Sequence, residues 1–363
     1  MNIKYPQSNE EAAAVITQAA RDKLAVIPAG HLTVLKDDPA LGREDALAIS
    51  ARDLNGFAVE PENLLALAGA GLSADMVAEK LADSGLYWPV SGLGSRSLGA
   101  IMAEGLLGLE TMARGSMTDW VLGATFVTAE GRVVASGGRT LKNVSGYDFT
   151  RLAWRARGRL GLSAAFILKL LPCPETAPVL EIGLPGPAQA AQLAEQIIRA
   201  RLAPEALRLI WRAGRASLLV WLAGFSELVE HKVRAIEALP GRESLTRHED
   251  GFAFWRGAGQ PLEAGRPGLA ALLGPRRAVL TLAGELDRPQ IQIDRADLDI
   301  GGGRVLLSPP EGRELSELAA TAGLVVDRYV SSGPVYERLR KRLDPAGLFF
   351  PDRLTEAAAG GRG

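Results

Sequence analysis

The first apolar pattern in the chain has the period of an amphipathic helix. Ser8 and Glu11 have the spacing of a capping box, and apolar residues then recur at helical spacing as far as Ala19. We predict a helix that begins at Ser8. A short apolar run over 24–27 follows and predicts a strand that stops at Pro28.

A second strand and helix are predicted between residues 64 and 85. The strand covers 64–68, and Ser73 caps a helix that stops at Ser84-Gly85. Apolar runs and turn residues predict three further strands, over 120–129, 132–135 and 164–171.

A change of composition near 172–189 predicts a linker into a second domain. The stretches PCPETAP and LPGPAQ supply the prolines and glycine of such a segment. Beyond it we predict a helix over 188–202, two hairpin strands over 206–211 and 217–223, and a helix capped by Ser226. This order is typical of an antiparallel sheet with helices on one side.

Length and charge limit the classes of protein. The 363 residues suffice for two domains, and 41 basic residues nearly balance 42 acidic ones. Such balance argues against nucleic acid or an anionic membrane as a partner. No apolar run reaches the roughly 18 residues of a membrane span, and no secretory signal is evident, so we expect a soluble protein. A single cysteine excludes an intrachain disulfide and fits a reducing cytoplasm, where we expect the protein to be located.

The residues typical of metal sites and hydrolases are missing from the sequence. Cys173 is the single cysteine, and His31, His231 and His248 are too dispersed to share a metal ion. Neither a nucleophile elbow nor a P-loop motif occurs. We therefore predict no metal site, and we assign no catalytic residue.

Gly69-Ala-Gly71 follows a predicted strand and imitates a Rossmann dinucleotide fingerprint. The acidic residue expected roughly 20 positions later is absent. A tight strand-to-helix turn is the preferred interpretation.

A long tract punctuated by glycine, residues 88–161, is the remaining candidate for ligand binding. Glycine allows a close approach of backbone to ligand, and backbone N–H groups in such loops can bind phosphate. Ordinary turns are the alternative, because the chain contains 41 glycines.

The stretch GGRTLKNVSGYDFTRL, residues 137–152, carries a resemblance to a known family. It resembles the FAD-binding domain of the vanillyl-alcohol oxidase and p-cresol methylhydroxylase (PCMH) superfamily, and within it the smaller flavin subunit of bacterial glycolate oxidase. The matching residues are Gly137, Gly138, Arg139, Lys142, Asn143, Val144, Gly146, Tyr147, Asp148, Arg151 and Leu152.

Other family loops occur in the same order along the chain. A first pyrophosphate loop follows the strand at 24–27, a second lies near 97–100, and a third lies near 155–161. The resemblance implies non-covalently bound FAD and these cofactor-binding residues: Pro28, Ala29, Gly30, His31, Thr33, Ser97, Leu98, Gly99, Ala100, Gly115, Asp119, Lys142, Asn143, Gly146, Tyr147, Asp148, Gly158 and Gly161.

Four departures from the family pattern fall in the loops expected near the cofactor. His31 and Leu32 replace glycines, Ala100 replaces another, Arg155-Ala-Arg-Gly-Arg159 replaces the usual third loop, and the tail at 350–352 reads Phe-Pro-Asp. The arginines can pair with phosphate and compensate for lost N–H contacts. Alternatively, the loops no longer hold flavin and the domain serves as a scaffold.

The resemblance implies an α+β fold, with a PCMH-type FAD-binding domain of two subdomains at 1–175. A second α+β domain, with an antiparallel sheet flanked by helices, would cover 176–330, and 331–363 would return to the first domain. The implied function is oxidation of a small 2-hydroxy acid, glycolate or D-lactate. The implied partners are a second FAD-containing subunit and an iron–sulfur subunit, through which the chain could associate with a membrane. The alternative is an FAD-free, non-catalytic scaffold subunit.

Overall fold

The computed structural model contains two large apolar cores. It describes residues 2–32, 44–139, 148–212, 214–257, 270–286, 293, 295–308, 315–326, 341–344 and 347–349. One core draws its buried residues from 12–170 and adds Leu348 and Phe349. The other draws them from 180–324.

The described residues of the first part of the chain form two larger sheets, one two-stranded sheet and five α-helices. The elements are β1 (Ile3–Lys4), α1 (Asn9–Arg21), β2 (Ala25–Ala29), β3 (Ala46–Ser50), β4 (Phe57–Glu60), β5 (Leu65–Gly69), α2 (Ala74–Leu81), β6 (Leu86–Tyr87), α3 (Leu98–Glu104), α4 (Thr111–Arg114), β7 (Val121–Val127), β8 (Val133–Gly137), α5 (Phe149–Ala153), β9 (Leu162–Lys169) and β10 (Leu171–Pro172). A parallel sheet has the order β1-β3-β2, and an antiparallel sheet has the order β4-β5-β9-β7-β8. The short strands β6 and β10 pair separately.

One antiparallel sheet forms the second part. The elements are β11 (Val179–Leu184), α6 (Pro187–Arg199), β12 (Ala206–Arg212), β13 (Arg215–Trp221), α7 (Ser226–Glu237), β14 (Ser244–His248), α8 (Gly251–Arg256), β15 (Ala270–Leu273), α9 (Arg276–Glu285), β16 (Arg295–Asp299), β17 (Arg304–Leu307), α10 (Leu315–Ala322) and β18 (Val325–Val326). The sheet order is β14-β11-β13-β12-β16-β17-β15-β18. Buried side chains of α6, α7 and α9 cover one face of the sheet, as the order of elements predicted.

The opposite face of this sheet meets the first part of the chain. Leu109 packs in one cluster with Leu219 and Trp221, and Met112 packs against the second core. The segment around α4 therefore lies in a seam between the two parts.

Pro28 lies inside a strand, so the prediction that it ends the strand was wrong. The amide of Ala25 donates to Asp45 O at 2.8 Å, so residues 25, 27 and 29 face β3. Pro28 faces the other edge of the sheet together with Val26, whose amide donates to Leu348 O. Pro28 has no N–H to donate. It is tolerated because its nitrogen faces away from β3, so no hydrogen bond between β2 and β3 is lost.

Two predictions in the second part were also wrong. The predicted linker contains β11, which pairs with both β13 and β14, because its alternating apolar residues fit a buried strand. Ser226 is the first residue of α7, and Phe225 occupies the cap position without a side-chain hydrogen bond. The Ser226 hydroxyl instead donates to Glu175.

Candidate functional site

The first predicted cofactor loop follows β2 and comes into contact with the second. The Gly30 carbonyl accepts a hydrogen bond from the buried Ser50 hydroxyl at 2.7 Å. A Cβ atom added at Gly30 would lie 2.2 Å from Ser97 Oγ, so only glycine allows this approach. Within the described part of the chain, the amides of Gly30 and His31 donate to no acceptor. These two amides are available to an anion.

The side chains of His31 and Leu32 are both engaged with the protein. His31 Nε2 lies 2.7 Å from the Gly71 carbonyl. Leu32 has φ of 61° and packs with the small cluster around Ile27 and Ala48. This left-handed backbone explains why glycine is favourable at position 32.

The second predicted loop forms the start of α3, whose first amides are all occupied. Leu98 N donates to Leu72 O at 2.8 Å, and Gly99 N donates to Ala70 O at 2.9 Å. Ala100 N donates to the Ser97 hydroxyl, which caps the helix. The loop therefore fixes α3 to the turn after β5, and in this conformation those three amides are not available to phosphate.

The third predicted loop touches the first. A Cβ at Gly158, where φ is 72°, would lie 2.9 Å from Pro28. Arg155 and Arg157 both have positive φ, and their amides bind carbonyls at the end of α3. Such left-handed residues are strained when they are not glycine, and strain of this kind clusters at functional sites. Gly161 and Gly158 line a narrow cavity of about 20 Å³ beside this loop.

Other predicted residues make local contacts. The Asp119 carboxylate accepts from the Ser116 amide at 2.8 Å, directly beneath Gly115. Asp148 caps α5 by accepting from the Arg151 amide. Ala29 is buried at the end of β2. Thr33, Lys142, Asn143, Gly146 and Tyr147 lie outside the described residues.

Sequence reasoning missed a buried carboxyl group in the seam. Glu110 is 1% exposed and accepts hydrogen bonds from the Ser91 amide at 2.9 Å and the Ser91 hydroxyl at 2.7 Å. Burial raises the pKa of Glu110 to about 7, against the effect of these hydrogen bonds. The one acidic side chain within the apolar stretch GLLGLETM was the available signal.

A second missed carboxyl group lies where α3 ends. Burial raises the pKa of Glu104, whereas Arg96, Arg157 and Arg304 oppose that change. Arg304 belongs to β17, so the charges come from both parts of the molecule. Charged side chains from the two parts therefore meet around Glu104.

A two-pronged ion pair joins the two parts across the seam. Arg114 donates from Nε and Nη2 to the two oxygens of Glu205, at 2.8 and 2.7 Å. The Glu205 side chain is 8% exposed. This bidentate geometry fixes α4 against the start of β12.

The described ranges contain neither a metal-binding cluster nor a helix that could span a membrane. No three His, Cys, Asp or Glu side chains there are grouped as a metal site requires. None of the helices described is long and apolar enough to cross a membrane.

Residues 2–137 match the protein family described as FAD binding domain. This part of the chain is similar to an FAD-binding domain, and the similarity supports FAD as its cofactor. The prediction of family and cofactor is thereby confirmed.

Particular relatives extend the similarity into the second part of the chain. Glycolate oxidase subunit GlcD of Bacillus subtilis (strain 168) is 27% identical over 74% of this chain and 60% of its own length. D-lactate dehydrogenase of Archaeoglobus fulgidus is 26% identical over 63% of this chain and 55% of its own length. Glycolate oxidase subunit GlcE of Escherichia coli (strain K12) is 29% identical over 70% of this chain and 71% of its own length. The chain thus spans little more than half the length of the first two relatives.

Solved structures confirm the predicted fold class. An alkyldihydroxyacetonephosphate synthase superposes with a TM-score of 0.73 at 14% identity, covering 96% of this chain and 76% of that one. Xylooligosaccharide oxidase from Myceliophthora thermophila C1 gives 0.68 at 16% identity, covering 96% and 90%. At such identities the likeness shows the fold alone.

The described residues fit FAD at the first and third loops. Free amides at Gly30 and His31 suit a diphosphate, and the His31 and Leu32 side chains are held by other contacts. Gly158 keeps the third loop close to Pro28. The start of α3 helps to hold the first loop in place, but its first amides are already hydrogen-bonded within the protein and are not free to bind phosphate.

Proposed function

We propose that this chain is an FAD-binding subunit of an oxidoreductase that oxidises a small 2-hydroxy acid, glycolate or D-lactate. The observation that carries the proposal is the meeting of Pro28, Gly30 and Ser97, which lie in the part of the chain that matches an FAD binding domain, with the loop at Gly158. The substrate class comes from relatives named as glycolate oxidase subunits and a D-lactate dehydrogenase.

The residues of the chain would bind and orient the cofactor. Bound FAD would supply the chemistry by accepting a hydride from the carbon that carries the substrate hydroxyl. The Gly30 and His31 amides would hold the diphosphate, while Ser97 and Gly158 would keep the loops at the required spacing. The seam around α4 offers a site between two domains, where ligands commonly bind.

The partners and the location belong to the same proposal. We propose domains at 1–175 and 176–330, and a segment at 331–363 that returns to the first domain. A second flavin subunit and an iron–sulfur subunit would accept the electrons in the cytoplasm, associated with a membrane only through those partners. Affinity purification from the native cell tests this: the proposal requires both subunits to co-purify, and a chain that turns over substrate alone would contradict it.

The cofactor assignment is tested by absorbance and by one glycine substitution. Purified protein should bind FAD and absorb near ~450 nm. Gly158→Ala should lower FAD occupancy, because the new methyl group would press on Pro28 at a positive φ. Gly214→Ala is the matched control, since Gly214 also has a positive φ but open space around its Cβ position. Equal FAD content in both variants would contradict the placement of the third loop.

A non-catalytic scaffold subunit is the second candidate. The observation that favours it is the occupied state of the α3 amides, which are bound by the carbonyls of Leu72 and Ala70 and by the Ser97 hydroxyl. This function predicts folded, colourless protein that cannot be reconstituted with FAD. Stoichiometric flavin in the purified protein would exclude it.

A further inference from the structure

A cavity outside the predicted flavin loops lies between the two parts of the molecule. Its walls come from α2 and the following Ala82, from the segment 86–94, from Cys173, and from α8 with the preceding Asp250. None of Pro28, Gly30, Ser97 or Gly158 lines it. The cavity is therefore separate from the loops assigned to the diphosphate.

The size of the cavity suits a bicyclic ring. Its volume is about 260 Å³. A dry protein cavity of about 150 Å³ accommodates benzene, so this one has room for a naphthalene-sized body.

The cavity wall is apolar and aromatic, and both parts of the chain contribute side chains that pack against each other there. Val77 and Leu81 of α2 are buried beside it, and Phe252 and Trp255 contribute from α8. The rings of Tyr87 and Phe252 pack edge to face at 5.4 Å across the seam. Aromatic walls of this kind favour a flat apolar ligand.

The charges in the wall do not favour an anion. The described lining contains two carboxylates, Asp75 and Asp250, and one guanidinium, Arg256. The charge of Arg256 acts on Asp75, and Asp250 accepts the Ala253 amide as the cap of α8. A carboxylate ligand would meet a net negative charge and lose its hydration. The chemistry therefore differs from that expected for a 2-hydroxy acid site.

From this geometry, we propose that the cavity between α2 and α8 is a binding site for a neutral, flat, apolar molecule of about two fused rings. The ligand would contact both parts of the chain at once. Binding would stabilise their packing, because a ligand that prefers the folded state raises its stability.

The test uses 2-naphthol as the neutral probe and 2-naphthoate as its anionic counterpart. Binding is measured by equilibrium dialysis and by thermal unfolding, on protein with and without FAD. We expect one saturable 2-naphthol site per chain, a raised melting temperature, and 2-naphthoate bound at least about tenfold more weakly. Bound FAD should not displace 2-naphthol.

Substitutions on α2 locate the site. Ala78 lines the cavity but is exposed, so Ala78→Trp should fill the space and weaken 2-naphthol binding by about tenfold or more. Met76→Trp is the matched control, because Met76 is exposed on the same helix and does not line the cavity. If circular dichroism shows that the Ala78→Trp variant misfolds, Ala82→Trp replaces it, because Ala82 is also exposed and also lines the cavity.

Three results would overturn the proposal. They are the absence of saturable 2-naphthol binding, equal binding by the Ala78→Trp and Met76→Trp variants, and 2-naphthoate binding as tight as that of 2-naphthol. Competition between FAD and 2-naphthol would also overturn the proposal, because it would show that the cavity belongs to the flavin site. Protein that binds 2-naphthol at this site but does not bind FAD would contradict the proposed function and leave the cavity proposal intact.

Discussion

Replacement of Glu110 by glutamine tests how the seam responds to pH. The carboxyl group is fully buried and is held by the amide and hydroxyl of Ser91. Glutamine has nearly the same shape, can accept from the Ser91 amide and can donate to the Ser91 hydroxyl. It removes the titration while retaining the contacts.

The expected magnitude follows from the raised pKa. The pKa of Glu110 in the folded protein is about 7, compared with an ordinary value of 4.5 for glutamate. Because the folded state binds the proton more tightly, this stabilisation is fully present below about pH 4.5 and is lost as the pH rises through about 7. At about 1.4 kcal/mol per pH unit, the complete change is about 3 kcal/mol.

Denaturant unfolding at a series of pH values measures the effect. The free energy of unfolding of Glu110→Gln minus that of the wild type should rise by about 3 kcal/mol between about pH 3.5 and about pH 8. Glu62→Gln, at an exposed position, is the control for loss of one negative charge. Taking the difference between variants removes the contributions of other buried acids such as Glu104 and Asp299.

Parallel stability curves for the wild type and Glu110→Gln would refute the reasoning. They would mean that water or a rearranged seam solvates the carboxylate at neutral pH. A rise that is complete by about pH 5.5 would equally refute it, because it would show that burial raises the pKa of this group by far less than the value used here.

Two further predictions concern the seam and the cofactor loops. Arg114→Ala should lower the free energy of unfolding by about 2 kcal/mol, because it leaves the buried Glu205 carboxylate unpaired. The control is Arg151→Ala, which breaks an exposed ion pair and should lower the free energy of unfolding by less than about 0.5 kcal/mol. Equal losses for the two variants, measured by urea unfolding, would contradict this prediction. Ser97→Ala should cost about 1 kcal/mol by removing the α3 cap and freeing the Ala100 amide. If FAD affinity increased at the same time, measured by fluorescence titration, the occupied amides would be what limits cofactor binding.

Local chemistry explains the elements that were predicted correctly. Ser8 accepts the Glu11 amide at the start of α1, and Ser73 accepts the Met76 amide at the start of α2, as the capping spacing predicted. The turn between β7 and β8 has Gly131 at a φ of 71°. Interactions over three or four residues decide such features, so a single sequence reveals them.

The errors came from contacts that are distant in sequence. Prolines on both sides of β11 led to the prediction of a linker there, whereas the strand is stabilised by pairing with β13 and β14. Pro28 is compatible with β2 only because its missing N–H faces away from β3, toward the edge where Val26 meets Leu348. No local pattern encodes which edge of a strand will be paired.

By itself, the sequence determined the α+β class and indicated the similarity of the first part of the chain to an FAD-binding domain, because these depend on local spacing and on contiguous motifs. Only the tertiary structure decided that the His31 and Leu32 side chains are held by Gly71 and by an apolar cluster, and that the first amides of α3 are occupied. It also placed Glu110 in the seam and opened the cavity between α2 and α8. Burial and hydrogen-bond partners come from segments far apart in the chain, and they decide which amides can meet a ligand and which carboxyl groups retain a proton.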